Sequence, residues 1–411
     1  MGLLLDMAVL AEQTGPAVSG GTFGGLDLRV IAYAVFIGLV LVFLALDLGV
    51  FHKHAHEVSM REAITWSVIW IAVGLSFAGL VYGAYENRWL GLGGPDTRVY
   101  NTPEAVEAGE PLIVSREVPG LEAAEQYLVG YIVEKSLALD NIFVIALVFG
   151  SLAIPGRYQH RVLFWGILGA LVMRGGMIFL GAGMIMKFQW ILIIFGAFLL
   201  LTAVKMAILK EAGDPSQSFI IRLARRALPV VPFFDGQKLL TRRTVAPTYS
   251  TDPATGRMVQ DPPPPGTLGV RWAMTPLMLA LIMVEFTDLI FAVDSIPAIF
   301  AITPDPFIVL TSNILAILGL RSLYFCLASM IGKFRYLKPA LIAILAFVGV
   351  KLLLLSVPPY LDTFGGWFSL DWSERAPIKI SAGISLAVVT GLLVAGVVAS
   401  LVTSSKSRVQ A

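Results

Sequence analysis

Residues 133–144 read VEKSLALDNIFV and place Glu134, Lys135 and Asp140 in a run that is otherwise almost continuously apolar. The whole chain is apolar: 57% of its 411 residues are hydrophobic and 14% are charged. Soluble domains have about a quarter of their residues charged. Several runs here reach the ~20 apolar residues that cross ~30 Å of hydrocarbon. The composition therefore predicts an all-α polytopic membrane protein, in which three ionisable groups within a span need an explanation.

Hydropathy and charge together predict the topology. Nine spans are expected, at residues 30–50, 64–83, 126–152, 161–185, 189–209, 272–302, 307–331, 339–356 and 379–402. With the N-terminus outside, 18 of the 30 lysines and arginines fall in inside loops and 7 in outside segments. Basic residues are enriched in cytoplasmic loops. We therefore predict an N-out, C-in, multi-pass protein of the inner (cytoplasmic) membrane.

These spans divide the chain into eight segments. They are an extracytoplasmic N-terminal segment (1–29), a first helix pair (30–83), an acidic extracytoplasmic loop (84–125), a first three-helix repeat (126–209), a basic, proline-rich cytoplasmic loop (210–271), a second three-helix repeat (272–356), an extracytoplasmic aromatic loop (357–378), and the last helix with a cytoplasmic tail (379–411).

The opening stretch has a second copy, because residues 285–297 read EFTDLIFAVDSIP. When Asp140 is aligned with Asp294, Glu134 falls on Asp288, so the acids keep their spacing of six. The second acid of each copy is followed by a small polar residue and an isoleucine, with Asn141 in the first copy. Spans three to five therefore resemble spans six to eight.

The likeness of the two units continues beyond the acids. Arg174 matches Arg321, and Lys205 matches Lys351, where both lysines lie near span ends and are expected to reach the membrane interface. In the predicted topology the two units cross the membrane in opposite directions. Inverted repeats are typical of secondary transporters, which bind their substrate at the midplane between the repeats. A duplication without a transport role is the alternative.

Five acids lie in these two spans, and charges inside a bilayer are costly. They are Glu134, Asp140, Glu285, Asp288 and Asp294. Ion pairs that hold helices together would engage Lys135, Arg174 and Arg321 with one acid each, and would leave about two acids over. Those acids must be protonated, hydrated or bound to a cation. Carboxylates are hard ligands that favour magnesium, calcium or manganese.

Helix geometry limits how these acids can act. Residues six apart on a helix are separated by ~9 Å along the axis, so Glu134 and Asp140 cannot both touch one ion from an intact helix. Either the acids form successive sites along a path or a helix is broken. Pro297 favours a break in the sixth span, since proline removes a backbone hydrogen bond.

We therefore expect Asp140 and Asp294 to form the central pair, with Glu134 and Asp288 on either side and Glu285 extending the path. Asp47, at the end of the first span, is either an entrance acid or a solvated interfacial charge.

The quoted stretches, together with LDLGVFHKHAHEVSMREAITWSVIWI at residues 46–71, resemble the signature segments of the TerC family of integral membrane proteins. The resemblance covers residues 30–356. The family is named for tellurite resistance, and members similar to this chain are implicated in manganese export. The resemblance implies that the five matched acids serve the metal, with Asp47 as a further candidate. This sequence departs from the family's pattern in its long, proline-rich loop at 210–271, which puts nothing in the site in doubt.

Two functions follow as hypotheses. The first is a secondary transporter that exports divalent metal, Mn²⁺ first and Ca²⁺ second, by exchange for protons; the chain has no GxxxxGK[ST] nucleotide-binding motif. The second is a membrane scaffold or sensor in a stress response, which acts on partner proteins through residues 210–271. No enzyme motif, permanent cofactor or nucleic-acid surface is predicted. Besides lipid, the expected partner is the transported ion.

Overall fold

The computed structural model describes residues 22–23, 26–49, 59–95, 97–100, 113–188, 190–208, 221, 223–224, 226, 228–231, 233–243, 249–251, 258–260, 271–328, 336–357 and 380–409. Ten α-helices run through these residues. They are α1 (Leu28–Gly49), α2 (Met60–Glu86), α3 (Gly120–Ser151), α4 (Gly156–Lys187), α5 (Ile191–Ile208), α6 (Pro276–Phe300), α7 (Pro306–Ile317), α8 (Leu320–Ala328), α9 (Leu337–Ser356) and α10 (Ala382–Val409).

The fold class predicted from the sequence is confirmed: this is an all-α polytopic membrane protein. Among the described residues, seven helices are long and apolar enough to cross a membrane, and α7 with α8 makes an eighth candidate that is bent by 43°. The helix α3 has 32 residues but carries Glu134, Lys135 and Asp140 near its middle. Its length qualifies it as a span, whereas its composition does not. With α3 included, a helix or a bent helix pair lies at each of the nine positions where a span was expected.

Capping residues and prolines set where several helices begin. The side chain of Ser59 accepts a hydrogen bond from the amide of Glu62 and caps α2. Pro276 and Pro306 occupy the first positions of α6 and α7, where a missing amide hydrogen costs nothing. The helix α3 begins at Gly120, earlier than the expected residue 126.

The helix α3 lies at the centre of the bundle and packs against α2, α6, α7 and α10. The two predicted repeats pack reciprocally. The first helix of each contacts the second helix of the other, as α3 with α7 and α6 with α4, and the third helices, α5 and α9, pack together.

The outward surface of the bundle is apolar. Val172, Leu180, Leu201 and Ile208 are each between 68% and 73% exposed. In water such a surface would drive aggregation, but in lipid it is the expected exterior. The side chains of Glu134 and Arg174, discussed below, lie inside the bundle.

Short antiparallel strand pairs lie in the connections between helices. The described strands are β1 (Thr22–Phe23), β2 (Leu26–Asp27), β3 (Arg98–Tyr100), β4 (Ile113–Ser115), β5 (Leu240–Arg243), β6 (Tyr249–Thr251), β7 (Met258–Gln260) and β8 (Arg271–Met274). They form four antiparallel pairs, β1–β2, β3–β4, β5–β8 and β6–β7. In the pair β5–β8, Arg243 lies opposite Arg271, so the segment between them leaves and returns at one point.

The helix break predicted at Pro297 is wrong. The helix α6 continues past Pro297 to Phe300. Because Pro297 lies in the last turn, it removes a single hydrogen bond near an end that frays in any case. The interruption in this repeat lies in its second helix, between α7 and α8.

Candidate metal centre

A buried arginine is shared by two of the predicted acids. Arg174, on α4, binds Asp288 on α6 through two hydrogen bonds, from Nε to Oδ2 at 3.1 Å and from Nη2 to Oδ1 at 2.8 Å. Its Nη1 also donates to Oε1 of Glu134 on α3. The side chains of Arg174 and Glu134 are 1% and 0% exposed. Two carboxyl groups therefore contact one guanidinium inside the bundle.

Three uncharged side chains complete this arrangement. Arg174 Nη1 donates to Ser295 Oγ and to Asn313 Oδ1, each at 3.3 Å. Asn313 Nδ2 donates to Glu134 Oε2 at 3.3 Å. Asn141 Nδ2 donates to Asp288 Oδ1 at 3.2 Å. The Arg174 cluster consists of Arg174, Glu134, Asp288, Asn141, Ser295 and Asn313.

A small cavity adjoins the Arg174 cluster. Its volume is about 20 Å³, and Asn141, Arg174, Ser295, Met206 and Phe291 contribute to its walls. A space of roughly 10–15 Å³ suffices for one water, so one water or one bare cation fits. Asn141 Oδ1 is buried without a hydrogen-bond partner among the described residues. The site therefore offers an unused oxygen ligand.

The two acids expected at the centre lie on two of the helices that form the Arg174 cluster. Asp140 lies on α3 and Asp294 on α6, each directly before a member of the Arg174 cluster, Asn141 and Ser295. The side chains of Asp140, Asp294 and Asp47 lie outside the described part of the structure. Within the described part, no group of three or more His, Cys, Asp or Glu side chains is arranged to hold a metal ion.

Glu285 lies apart from the Arg174 cluster, against α4. Its carboxylate packs on Gly169, so closely that any side chain at that position would collide with it. Its Oε2 is buried, and no described group donates a hydrogen bond to it. The structure thus brings Glu134 and Asp288 together and leaves Glu285 one turn away on α6.

Within the described part of the structure, Lys135 forms no ion pair with a carboxylate and contacts backbone carbonyls instead. Its Nζ donates to the carbonyl oxygens of Ala316 at 2.9 Å and Leu318 at 3.2 Å. These carbonyls lie where α7 ends and the chain bends into α8. The last carbonyls of a helix lack partners within the helix and carry partial negative charge. The ammonium group of Lys135 therefore caps the broken helix.

The bend itself depends on Gly319. This residue has φ of +78°, and a Cβ there would collide with Trp70 on α2. Because only glycine adopts this conformation at little cost and leaves room for the indole, the break is fixed by sequence. Adjacent residues of α3 hold the α7 side of the bend: Glu134 accepts a hydrogen bond from Asn313, and Lys135 donates to the carbonyls that end the helix.

The other basic residues of the repeats have different roles. Arg321 is the predicted counterpart of Arg174. Its Nη1 lies 2.8 Å from Nε2 of His160, and this contact involves no carboxylate. Lys205 is exposed, as expected. Lys351 was expected at the interface but is 6% exposed, and its Nζ donates to Ser385 Oγ at 3.0 Å. Packing of α9 against α10 buries it.

Asn313 was not among the residues predicted for the site. A signal was available, because Thr311, Ser312 and Asn313 interrupt the apolar run IVLTSNILAIL at residues 308–318. All three are completely buried. Uncharged polar residues in a span are common, however, and indicate a functional site less strongly than acids do.

The fold and site define a multi-pass helical membrane protein with a buried, charged centre. Comparison with known proteins identifies its family. The chain matches the integral membrane protein TerC family over residues 120–408. It belongs to that family.

Two relatives are similar over most of their lengths. An uncharacterized membrane protein of Myxococcus xanthus, STKORF319, is 40% identical over 90% of this chain and 92% of its own. Alx of Escherichia coli strain K12, which its name proposes as a membrane-bound redox modulator, is 39% identical over 78% of this chain and 84% of its own. No solved structure matches the chain.

Proposed function

We propose that this protein is a secondary transporter that exports divalent metal ions from the cytoplasm in exchange for protons. Mn²⁺ is the first candidate substrate and Ca²⁺ the second. The observation that carries the proposal is the Arg174 cluster, in which a buried guanidinium is shared by Glu134 and Asp288. An ion pair that served packing alone would need one acid, and a second buried acid is costly unless it has a use.

Asp140 and Asp294 are the proposed central ligands. Each precedes a member of the Arg174 cluster by one residue, and one helical residue rises only ~1.5 Å. Both backbones therefore lie at the depth of the cluster, one from each predicted repeat. Asn141, with its unused Oδ1, supplies a further oxygen beside a cavity that accepts one ion.

The choice of metal rests on ligand chemistry and on the family. Carboxylate and amide oxygens favour hard cations over copper. They do not separate manganese from calcium or magnesium. The preference for Mn²⁺ comes from the family resemblance.

Proton exchange falls to carboxylates in this scheme, because a guanidinium does not lose its proton in proteins. Arg174 keeps Glu134 and Asp288 paired in the absence of metal. Asp140 and Asp294 alternate between protonated and metal-bound forms, since desolvation favours the neutral acid when the ion leaves. The reciprocal packing of α3 with α7 and α6 with α4 supports two repeats that rock about the site.

A membrane scaffold is the second candidate. It is favoured by two aromatic side chains at the base of the 210–271 loop, Phe233 and Trp272, which are each 53% exposed. Exposed aromatic residues suit a partner surface or a membrane interface equally. In this alternative the Arg174 cluster only stabilises the bundle.

The name of Alx suggests a redox role as a third reading. Thiol–disulfide exchange within one chain needs two cysteines, and this sequence has one, Cys326. That form of redox chemistry would therefore need a second molecule.

One pair of variants separates transport from scaffolding. Residues 244–270 can be replaced by an Asn-Gly turn, because Arg243 and Arg271 already lie opposite each other in the β5–β8 pair. This variant and Asp288→Asn should be expressed in a manganese-sensitive bacterium and its cellular manganese measured. A transporter keeps manganese low with the shortened loop and fails with Asp288→Asn. The opposite pattern would establish the scaffold.

A further inference from the structure

A basic segment packs against the end of the bundle that the predicted topology places in the cytoplasm. Residues 221–243 carry six lysines and arginines and one acid. Ile221 and Ala224 belong to the buried core of the protein. The ring of Phe234 contacts that of Tyr158 in the first turn of α4, with centroids 5.7 Å apart. The segment is therefore fixed to the bundle.

The first turn of α4 lies at the level of the lipid headgroups. The helix has 32 residues, which extend over about 48 Å at ~1.5 Å per residue. The hydrocarbon core is only ~30 Å thick. Residues 156–161 read GRYQHR, so the polar start of α4 is an end that leaves the hydrocarbon. Phe233, which directly precedes Phe234, is held at this depth by the contact with Tyr158.

The outward side chains of this region are apolar, aromatic or basic. Leu223 and Arg226 are exposed and lie on the face of their helical stretch that is opposite the buried residues. Leu223 is 54% exposed, and Phe233 and Trp272, the latter on β8, are 53% exposed. Tryptophan is enriched where membrane meets water. Helical segments with apolar residues beside arginines lie in the same layer. This composition suits the headgroup region.

The charge of the segment favours an anionic partner. The carboxylate of its single acid, Asp235, is engaged, because Oδ2 accepts hydrogen bonds from Lys238 Nζ at 3.1 Å and from Thr241 Oγ1 at 2.8 Å. Five arginines remain, and Arg243 lies opposite a further one, Arg271, in the β5–β8 pair. Arginine binds phosphate groups through pairs of N–H donors. Basic residues close to an anionic leaflet are also attracted by its surface potential.

We propose that Leu223, Arg226, Phe233 and Trp272 form a headgroup patch that binds anionic phospholipids of the cytoplasmic leaflet through their phosphate groups. Exposed aromatic residues alone would suit an acidic protein partner equally. The depth of Phe233 and the excess of arginines favour lipid. The headgroup patch binds lipid whether or not the protein transports metal.

Spin-labelled phosphatidylglycerol gives the first test, compared with spin-labelled phosphatidylcholine in phosphatidylcholine vesicles that contain the full-length protein. The unaltered protein should hold the anionic lipid about fivefold more strongly, and Arg226→Gln should reduce this preference about twofold. The matched control is Arg61→Gln, since Arg61 is exposed on the predicted cytoplasmic side but lies in the first turn of α2. Equal reductions in the two variants would overturn the headgroup patch in favour of a general effect of cytoplasmic charge.

An acid variant gives a test of opposite sign. Asp235→Asn should raise the preference for phosphatidylglycerol about twofold, because it removes the negative charge beside Lys238. A disturbed fold would not imitate this gain, and an unchanged preference would contradict the proposal.

Two further outcomes would identify a different partner. Inorganic phosphate, compared with sodium chloride at equal ionic strength, should not displace the lipid. Displacement would overturn the lipid surface and indicate a site for free anions. Equal retention of the two lipids by the unaltered protein would also overturn it and leave an acidic protein as the partner.

Discussion

Arg174 and Asp288 are joined by two hydrogen bonds, of 3.1 and 2.8 Å, that tie α4 of the first predicted repeat to α6 of the second. The same guanidinium reaches Glu134 on α3. Three helices, α3, α4 and α6, therefore meet on one side chain.

Removal of Arg174 should destabilise the protein strongly. Arg174→Met leaves Glu134 and Asp288 buried without a base, and a broken buried ion pair costs about 3–5 kcal/mol. The free energy of unfolding in detergent measures the loss. Arg88→Met is the matched control, since the Arg88–Glu117 pair is 58% exposed on both sides and should contribute less than ~1 kcal/mol. Equal stability of the two variants would contradict the account of the Arg174 cluster.

Lys135 should control the junction of α7 and α8. Lys135→Met leaves the carbonyls of Ala316 and Leu318 without their donor, at a cost of about 1–3 kcal/mol. Hydrogen exchange of the amides around residues 316–323 should become faster. Lys187→Met, which alters an exposed lysine at the end of α4, should leave exchange in this segment unchanged. Protection that persists in Lys135→Met would show that the cap is dispensable.

The bend should not tolerate a side chain at Gly319. Gly319→Ala forces a positive φ on alanine and pushes Cβ into Trp70, which we expect to cost about 1–3 kcal/mol or more. Gly38→Ala is the control: no atom lies within 4 Å of its added Cβ on α1, so stability should hold or rise by about 1 kcal/mol. Thermal unfolding compares them. A Gly319→Ala protein as stable as Gly38→Ala would mean that the helix straightens freely.

Asp305, in the connection between α6 and α7, should make stability depend on pH. It accepts hydrogen bonds from the hydroxyl of Tyr85 at 2.6 Å and the amide of Phe307 at 2.9 Å. Burial nevertheless raises the pKa of the Asp305 carboxyl above its ordinary value. The folded state then binds more protons than the unfolded state, so stability present at low pH is lost as pH rises through that pKa.

The comparison with Asp305→Asn tests this effect, since asparagine can still cap α7. The melting temperature of the unaltered protein, relative to this variant, should rise between about pH 7 and about pH 4, where ordinary aspartates begin to bind protons. A constant difference between the two proteins over that range would contradict the assigned direction.

The sequence predicted the helices and the acids but not how they are used. Long apolar runs identify the spans, because the hydrocarbon core of the bilayer requires them. Glu134 and Asp288 could be singled out because a charged side chain within a span is energetically costly. The partner of Lys135 could not be predicted, because backbone carbonyls leave no mark in a sequence. Gly319 is one of 39 glycines, and only its φ and the nearby Trp70 distinguish it. The helix break predicted at Pro297 was wrong, because the effect of a proline depends on its distance from the helix end.

The most direct test of the transport proposal is Mn²⁺ uptake into proteoliposomes that contain a pH-sensitive dye, with Ca²⁺ and Mg²⁺ measured in parallel. We predict saturable Mn²⁺ uptake with protons moving in the opposite direction, retained in Glu117→Gln and lost in Asp140→Asn and Asp288→Asn. Folded protein that carries none of the three ions, or full uptake by both of the aspartate variants, would contradict the account.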